Sequence, residues 1–501
     1  MGGNYGGAGN FNISSMNTIV PYEGIINENY FMINQRETEL SANLEILKCI
    51  TKNPFKNKLE YFIGLLTKSK YDGIGRQLDE IDISIALDIS GSMGSIIEPK
   101  PTFKEKYEQS GKKEVNKMYD RDRSGKNRLE MAKECLFKLV NSMTDKMQLA
   151  LTTFNTFSNI IIPLSPKKEI QSISHAIKGI IQSGGTDLAI ALEGAANCLN
   201  GSKAKFKRVI IITDGWDSNP RFMELARKLS DNNILITILS IDSSSNSQMY
   251  DRFSELKGCN YYFILNENDM EKYLVKQLNY ICFPVLYDMK INYISDDAEI
   301  IRAIGCGQQN EKSKENQNNN KQSNELINAK TLFPSDLKEM NGKYYQEGGL
   351  ILLKIKPKSL EKDCKITINL KYDELEGNHF EKNYEINFSV NEMKNGVESI
   401  EMQKGLAMYY LTKFIRKIKK FMNLNIQFTH GGPVDSKEQK PDKKYFNFLS
   451  RNFENYDKIK IYFEENYNND INEYQKEYYL KHLDNQYAEA EKKINEDKNK
   501  H

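Results

Sequence analysis

No two of the seven cysteines, Cys49, Cys135, Cys198, Cys259, Cys282, Cys306 and Cys364, form a CxxC pair or sit close to a histidine. An odd number at wide spacing argues against a disulfide framework and a zinc site, and points to a reducing, cytoplasmic setting. Charge of one sign is lacking as well. Seventy basic residues against 68 acidic ones give a formal charge of +2, so no global field draws the chain toward nucleic acid or an anionic membrane. The most apolar runs, Val209 to Ile212 and Ile234 to Leu239, are one strand long and far short of the roughly 20 residues that span a bilayer. The opening MGGNYGGAGNFNISS lacks the basic and apolar regions of a secretory signal, and Gly6 stands where a myristoylation motif needs Ser or Thr.

What is present divides the chain. Residues 1–18 form a Gly/Asn/Ser tail predicted to be disordered. Residues 19–79 read as a leader packed on the domain that begins at residue 80, with a helix-like stretch over Leu44 to Lys52. Over 80–282 short apolar strands alternate with amphipathic helices, the pattern of an α/β, doubly wound, Rossmann-like and mostly parallel sheet. Strands are expected at 81–87, 148–154, 159–164, 207–213, 234–240 and 261–264, and helices at 128–143, 188–199, 222–229 and 269–280. From 283 to 397 the period becomes two, in LYDMKINYI, GLILLKIKPK, CKITINLKY and YEINFSV, which predicts an antiparallel β-sandwich. A polar run at 307–325 is expected to be a disordered loop within it. Residues 398–501 predict a charged helical region.

The chemistry concentrates in three loops. IDISIALDISGSMGS places Asp88, Ser90 and Ser92 in the turn after a buried strand, and ligand sites of open α/β sheets lie at the carboxyl ends of strands. A carboxylate and two hydroxyls at i, i+2 and i+4 are hard oxygen donors suited to Mg²⁺. QSGGTDL then offers Thr186 after a Gly-Gly turn, and RVIIITDGWDS offers Asp214 at the end of a second apolar strand. Asp187 reads as the cap of the following helix. Trp216, the sole tryptophan, follows Asp214 by two residues and is a candidate partner contact.

DxSxS, a later Thr after glycines and a later TDG after an apolar strand together resemble the von Willebrand factor type A (VWFA) family over about residues 80–280. The resemblance implies a metal-ion-dependent adhesion site in which Asp88, Ser90, Ser92, Thr186 and Asp214 hold Mg²⁺, or another divalent cation such as Mn²⁺ or Ca²⁺. It also implies an open coordination position filled by an acidic side chain of a protein partner, and a final helix at 269–280 through which relatives couple motion. The order of leader, A domain, β-rich segment and helical tail is similar in layout to intracellular A-domain proteins, which implies a scaffold or assembly factor rather than an enzyme.

The chain departs from that pattern at 95–127, where an insertion rich in lysine, with Arg121 and Arg123, separates the DxSGSM turn from the next helix. It reads as a solvated surface loop that would favour an acidic partner if it took part. Two other readings stand beside metal-bridged recognition. One is a metal-dependent phosphohydrolase with Asp88 as nucleophile, in which Ser90 occupies the position of the usual second acid. The other is a purely structural A domain. GGTD lacks the glycine spacing and lysine of a nucleotide-binding P-loop, and the basic KFIRKIKK stretch fits the polar face of a helix better than a nucleic-acid site.

Overall fold

The computed structural model describes residues 29–34, 38–96, 126–173, 175–215, 220–241, 252–253, 255–264, 266–305, 325–429, 443–467, 476–477, 479–481, 483–484, 487–488 and 491. The tail expected at 1–18, the insertion between 97 and 125 and the polar loop up to residue 324 lie outside the described residues. Glu325 opens a strand.

The central sheet arises from runs that are apolar on both faces. Its strands are β1 (Ile81–Asp88), β2 (Gln148–Phe154), β3 (Ser158–Pro166), β4 (Phe206–Thr213), β5 (Ile234–Ile241) and β6 (Asn260–Ile264), in the order β3-β2-β1-β4-β5-β6. All neighbours are parallel except β2 and β3, which form an antiparallel hairpin at one edge. Because side chains alternate across a strand, two cores arise. Ile83, Ile85, Leu87, Ile210 and Ile212 pack on one side with helix α1 (Arg128–Ser142) and the closing helical segment. Ala86, Val209, Ile211, Ile236 and Ile238 pack on the other with α2 (Leu188–Cys198) and α3 (Pro220–Asp231). The closing helix expected at 269–280 is broken into Glu267–Glu271, a π-helical turn at Lys272–Lys276 and Leu278–Ile281. At the turn Tyr273 and Leu274 are both buried, and Lys272 reaches Glu347 at 2.9 Å.

The stretch expected as helix-like over Leu44 to Lys52 is a strand. Asn43–Lys52 pairs antiparallel with Leu59–Lys68. Leu44, Leu47 and Ile50 recur every three residues as on a helix, but β-branched Ile46, Ile50 and Thr51 fit a pleated surface better, and pairing decides the outcome. These two strands join Leu350–Pro357 and Ala298–Ile304 in a four-stranded sheet, while Leu286–Ile294, Glu325–Leu332, Cys364–Glu374 and His379–Phe388 form another. Leu44, Ile63, Leu65 and Ile351 from the first share one core with Leu286, Ile291, Ile366 and Ile368 from the second. The sandwich therefore takes strands from both sides of the central-sheet unit in sequence, and residues 43–68 belong to it rather than to a leader. The turn that follows reaches the central sheet and its closing helix: the Arg76 guanidinium lies 4.4 Å from the Tyr71 ring centroid and 5.8 Å from that of Phe206, and Asn279 Nδ2 donates to the Ile74 carbonyl at 2.8 Å.

A three-stranded sheet of Tyr30–Ile33, Lys343–Glu347 and Leu337–Met340 adjoins the sandwich. The helical region predicted near the end begins with Ile400–Thr429 and Lys443–Asn466. Leu406, Tyr409, Tyr410 and Phe463 from these helices pack with Phe31, Leu47, Phe62 and Leu350. No helix among the described residues is long and apolar enough to cross a membrane.

Arg208 ties the central sheet internally and touches Phe333, next to the sandwich strand Glu325–Leu332. It is fully buried on β4, and its guanidinium donates to Thr237 Oγ1 at 2.7 Å, Asn260 Oδ1 at 3.3 Å and the Gly258 carbonyl at 3.2 Å. The Phe333 ring lies 5.6 Å away. All these partners are neutral, so packing and hydrogen bonds must together offset the burial of a charge. Arg208→Ala leaves a cavity and unmatched acceptors, and is expected to lower stability by about 3 kcal/mol, read from urea unfolding midpoints. A loss under about 1 kcal/mol would contradict this role.

Candidate functional site

Asp88 ends β1 and Asp214 follows β4 directly, so the two carboxylates stand at the carboxyl ends of adjacent strands. From β1 the chain leads to α1 in one core, and from β4 to α3 in the other. This divergence opens the crevice in which such sheets bind ligands.

The Asp88 side chain forms the floor. It is fully buried, its Oδ1 accepts from the Ser90 amide at 2.7 Å, and its Oδ2 accepts from Thr213 Oγ1 at 2.6 Å. Burial pushes the carboxyl above its ordinary value, the bonds from Thr213 and Ser90 pull it back, and the nearby Asp214 carboxylate adds to the rise. Residues Gly91–Gly94 then coil into a single 3₁₀ turn, which brings Ser90 Oγ and Ser92 Oγ within 3.0 Å of each other. Ser92 Oγ donates to Asp214 Oδ1 at 2.8 Å. Arg128, at the start of α1, donates from Nη1 to Asp214 Oδ2 at 2.5 Å, and the Asp214 side chain is wholly buried beneath it. Ser92 is exposed and stands at the mouth, while Ser90 is buried with the two carboxylates below it.

The loop bearing Thr186 is stitched to the same rim. The Ser183 amide donates to the Ile89 carbonyl at 2.6 Å and the Gly91 amide to the Gly184 carbonyl at 3.1 Å. A side chain begun at Gly215 would come within 3.2 Å of Thr186 Oγ1, which sets Thr186 against the Asp214 loop. Of the residues expected from sequence, Asp88, Ser90, Ser92 and Asp214 thus form one continuous hydrogen-bonded chain and Thr186 sits beside it. Asp187 stands apart and caps α2, accepting from the Ile190 amide at 3.0 Å. Trp216 lies outside the described residues.

Two contributors were not singled out from sequence. Thr213 could have been found by register: Leu87 pairs with Ile212, so the next residues, Asp88 and Thr213, fall side by side. Arg128 gave no spacing signal, because the insertion separates it from the DxSxS turn. Its placement depends on the insertion's base, where Ile96 bridges Asn127 and the Arg128 amide donates to the Ser95 carbonyl at 3.0 Å.

The donor set decides which ion could fit. Among the described residues no three His, Cys, Asp or Glu side chains gather where they could hold a metal. Any ion here would be held by three hydroxyls and two carboxylates, an oxygen-only set that fits Mg²⁺, Mn²⁺ or Ca²⁺ and not zinc.

Gly184 has φ +80°, and a Cβ there would lie 2.9 Å from Asn155 Nδ2. Gly184→Ala is therefore expected to cost about 1–2 kcal/mol, seen as a lower thermal midpoint. An unchanged midpoint would show that the loop adjusts freely.

Residues 82–277 match the family model described as the von Willebrand factor type A domain. Comparison with curated proteins finds no match. Among solved structures the chain is similar to a von Willebrand factor type A protein from Catenulispora acidiphila, at 11% identity and TM-score 0.43, over 79% of this chain and 84% of that one. It is similar to the ArnB paralog VWA2 from Sulfolobus acidocaldarius at 11% identity and TM-score 0.36, over 85% and 92%. It is also similar to the conserved hypothetical protein BatB from Bacteroides thetaiotaomicron at 17% identity and TM-score 0.30, over 40% and 98%. At such scores the assignment rests on the family match and on the sheet itself: residues 82–277 are a von Willebrand factor type A domain.

Proposed function

We propose that this domain recognises a protein partner through a divalent cation, Mg²⁺ in the first place, held by Asp88, Ser90, Ser92, Thr186 and Asp214 as an adhesion site. The observation that carries the reading is the unbroken run of hydrogen bonds from Asp88 through Ser90 and Ser92 to Asp214 at the sheet's switch point. Domains of this type generally mediate protein–protein interactions. The bound cation would offer a coordination position for a partner's Asp or Glu carboxylate.

The charge of the site favours the same ligand. Asp88, Asp214 and Arg128 sum to a formal −1, so a divalent cation would make the site +1 and attractive to one carboxylate. Arg128 moderates metal affinity by holding one oxygen of Asp214, while Ser92 holds the other. The phosphohydrolase reading is disfavoured because Ser90 stands where such a mechanism needs a second acid, and its hydroxyl is engaged with that of Ser92. Recognition without turnover fits this arrangement better.

A cytoplasmic location belongs to the same proposal. The six described cysteines are free thiols, and burial pushes those of Cys259 and Cys282 up to about 12. They serve as packing rather than as reactive groups.

The test is a Mg²⁺ titration monitored by the fluorescence of Trp216, two residues from Asp214 in sequence. Wild type should saturate, and Asp88→Asn should not respond. Arg128→Gln should bind Mg²⁺ about fivefold more tightly, because a cation beside the site is removed. Identical titration curves for wild type and Asp88→Asn would refute the metal assignment.

A further inference from the structure

Three loops frame the mouth of the site, and each presents an apolar side chain to solvent. Ile96 ends the DxSxS loop and is 42% exposed, Phe157 tips the turn between β2 and β3 and is 72% exposed, and Ile181 precedes the Thr186 turn and is 73% exposed. Asn155 fixes two of these loops to each other. Its Oδ1 accepts from the Phe157 amide at 2.9 Å, its Nδ2 donates to the Ser183 carbonyl at 2.9 Å, and its backbone carbonyl accepts from the Asp187 amide at 2.9 Å. Gln182 lies against Gly94, which binds the third loop to the set. Phe157 and Ile181 are therefore held on a braced rim.

The described stretches that bear these exposed side chains are uncharged. Residues 89–96 read ISGSMGSI, 155–158 read NTFS and 180–186 read IIQSGGT, without one Asp, Glu, Lys or Arg. A charged site beside bulky apolar and small polar groups complements a ligand of the same pattern. Extra charges on the ligand beside the carboxylate would be desolvated there without a counter-charge on these loops.

We propose that the partner segment carries a single acidic side chain flanked by bulky apolar residues that pack on Phe157 and Ile181. This rests on the metal–carboxylate reading above and adds what selects among carboxylates. Apolar contacts of this kind supply area around a polar anchor, and aromatic side chains such as Phe157 are favoured at such positions.

The experiment uses the full chain in excess Mg²⁺ and three labelled synthetic peptides, with binding read by fluorescence anisotropy. One has a central Glu flanked by Leu and Phe, one has the Glu flanked by Ser, and one keeps Leu and Phe but has Gln for Glu. Wild type should bind the apolar Glu peptide about tenfold more tightly than the Ser-flanked one, and F157S combined with I181S should erase that preference. The double variant should keep its Mg²⁺ response at Trp216, because both substituted side chains face solvent. Equal, Mg²⁺-dependent binding of the two Glu peptides would overturn the apolar rim and leave the carboxylate reading standing. Binding indifferent to Mg²⁺, or as strong for the Gln peptide, would overturn the carboxylate reading and this inference with it. Wild type that dimerises in sedimentation while the double variant is monomeric would show that a second copy covers the rim, which also overturns the proposal.

Discussion

Two carboxylates held at the ends of adjacent parallel strands, in a pocket that hides both from water, set the terms for the A domain's upper face. Asp88 and Asp214 repel one another, and four donors answer them: the Ser90 amide and Thr213 hydroxyl on Asp88, and the Ser92 hydroxyl and Arg128 guanidinium on Asp214. Each bond to a charged acceptor contributes about 1.5–3 kcal/mol, enough in sum to hold an arrangement that burial opposes. The 3₁₀ turn at Gly91–Gly94 and the closed base of the insertion bring Ser92 and Arg128 to Asp214. The loops are shaped by the site more than the site is shaped by the loops.

Below that face the sheet meets a different demand. The sandwich draws strands from residues 43–68 and from residues after 285, so its core closes only when the chain on both sides of the A domain has come together. Arg208 marks one point where the units touch, with its guanidinium on Thr237, Asn260 and Gly258 and its face toward Phe333. The Lys272–Glu347 pair marks another, joining the π-helical turn of the closing helix to the small sheet. The A domain is thereby fastened through the start of β4 and the closing helix, whereas its candidate site lies at the carboxyl ends of β1 and β4.

Much of this was legible in the sequence, for definite reasons. The six strands of the A domain are nearly continuous apolar runs with turn residues between them, so their limits were readable to within about two residues. Asp88, Ser90, Ser92 and Asp214 were legible because a strand end fixes where its next residues point. What escaped depends on pairing across distance. Asn43–Lys52 carries both a helical and a strand pattern, and its antiparallel partner Leu59–Lys68 settles which one forms. Thr213 is defined by the register of β4 against β1, and Arg128 by two contacts at the base of the insertion. Neither leaves a local mark. The break in the closing helix is likewise tertiary, since Tyr273 packs tilted against Tyr262, with ring centroids 4.5 Å apart, where the π turn falls.

The central claim is that these oxygens hold one divalent cation. Crystals grown with Mn²⁺ and measured at the manganese absorption edge test it directly. The account predicts a single strong anomalous peak bounded by the oxygens of Asp88, Ser90, Ser92 and Thr186, with Arg128 still paired to Asp214. A map with no peak there, from a protein whose Asp88, Ser92 and Asp214 keep the hydrogen bonds described, would contradict it.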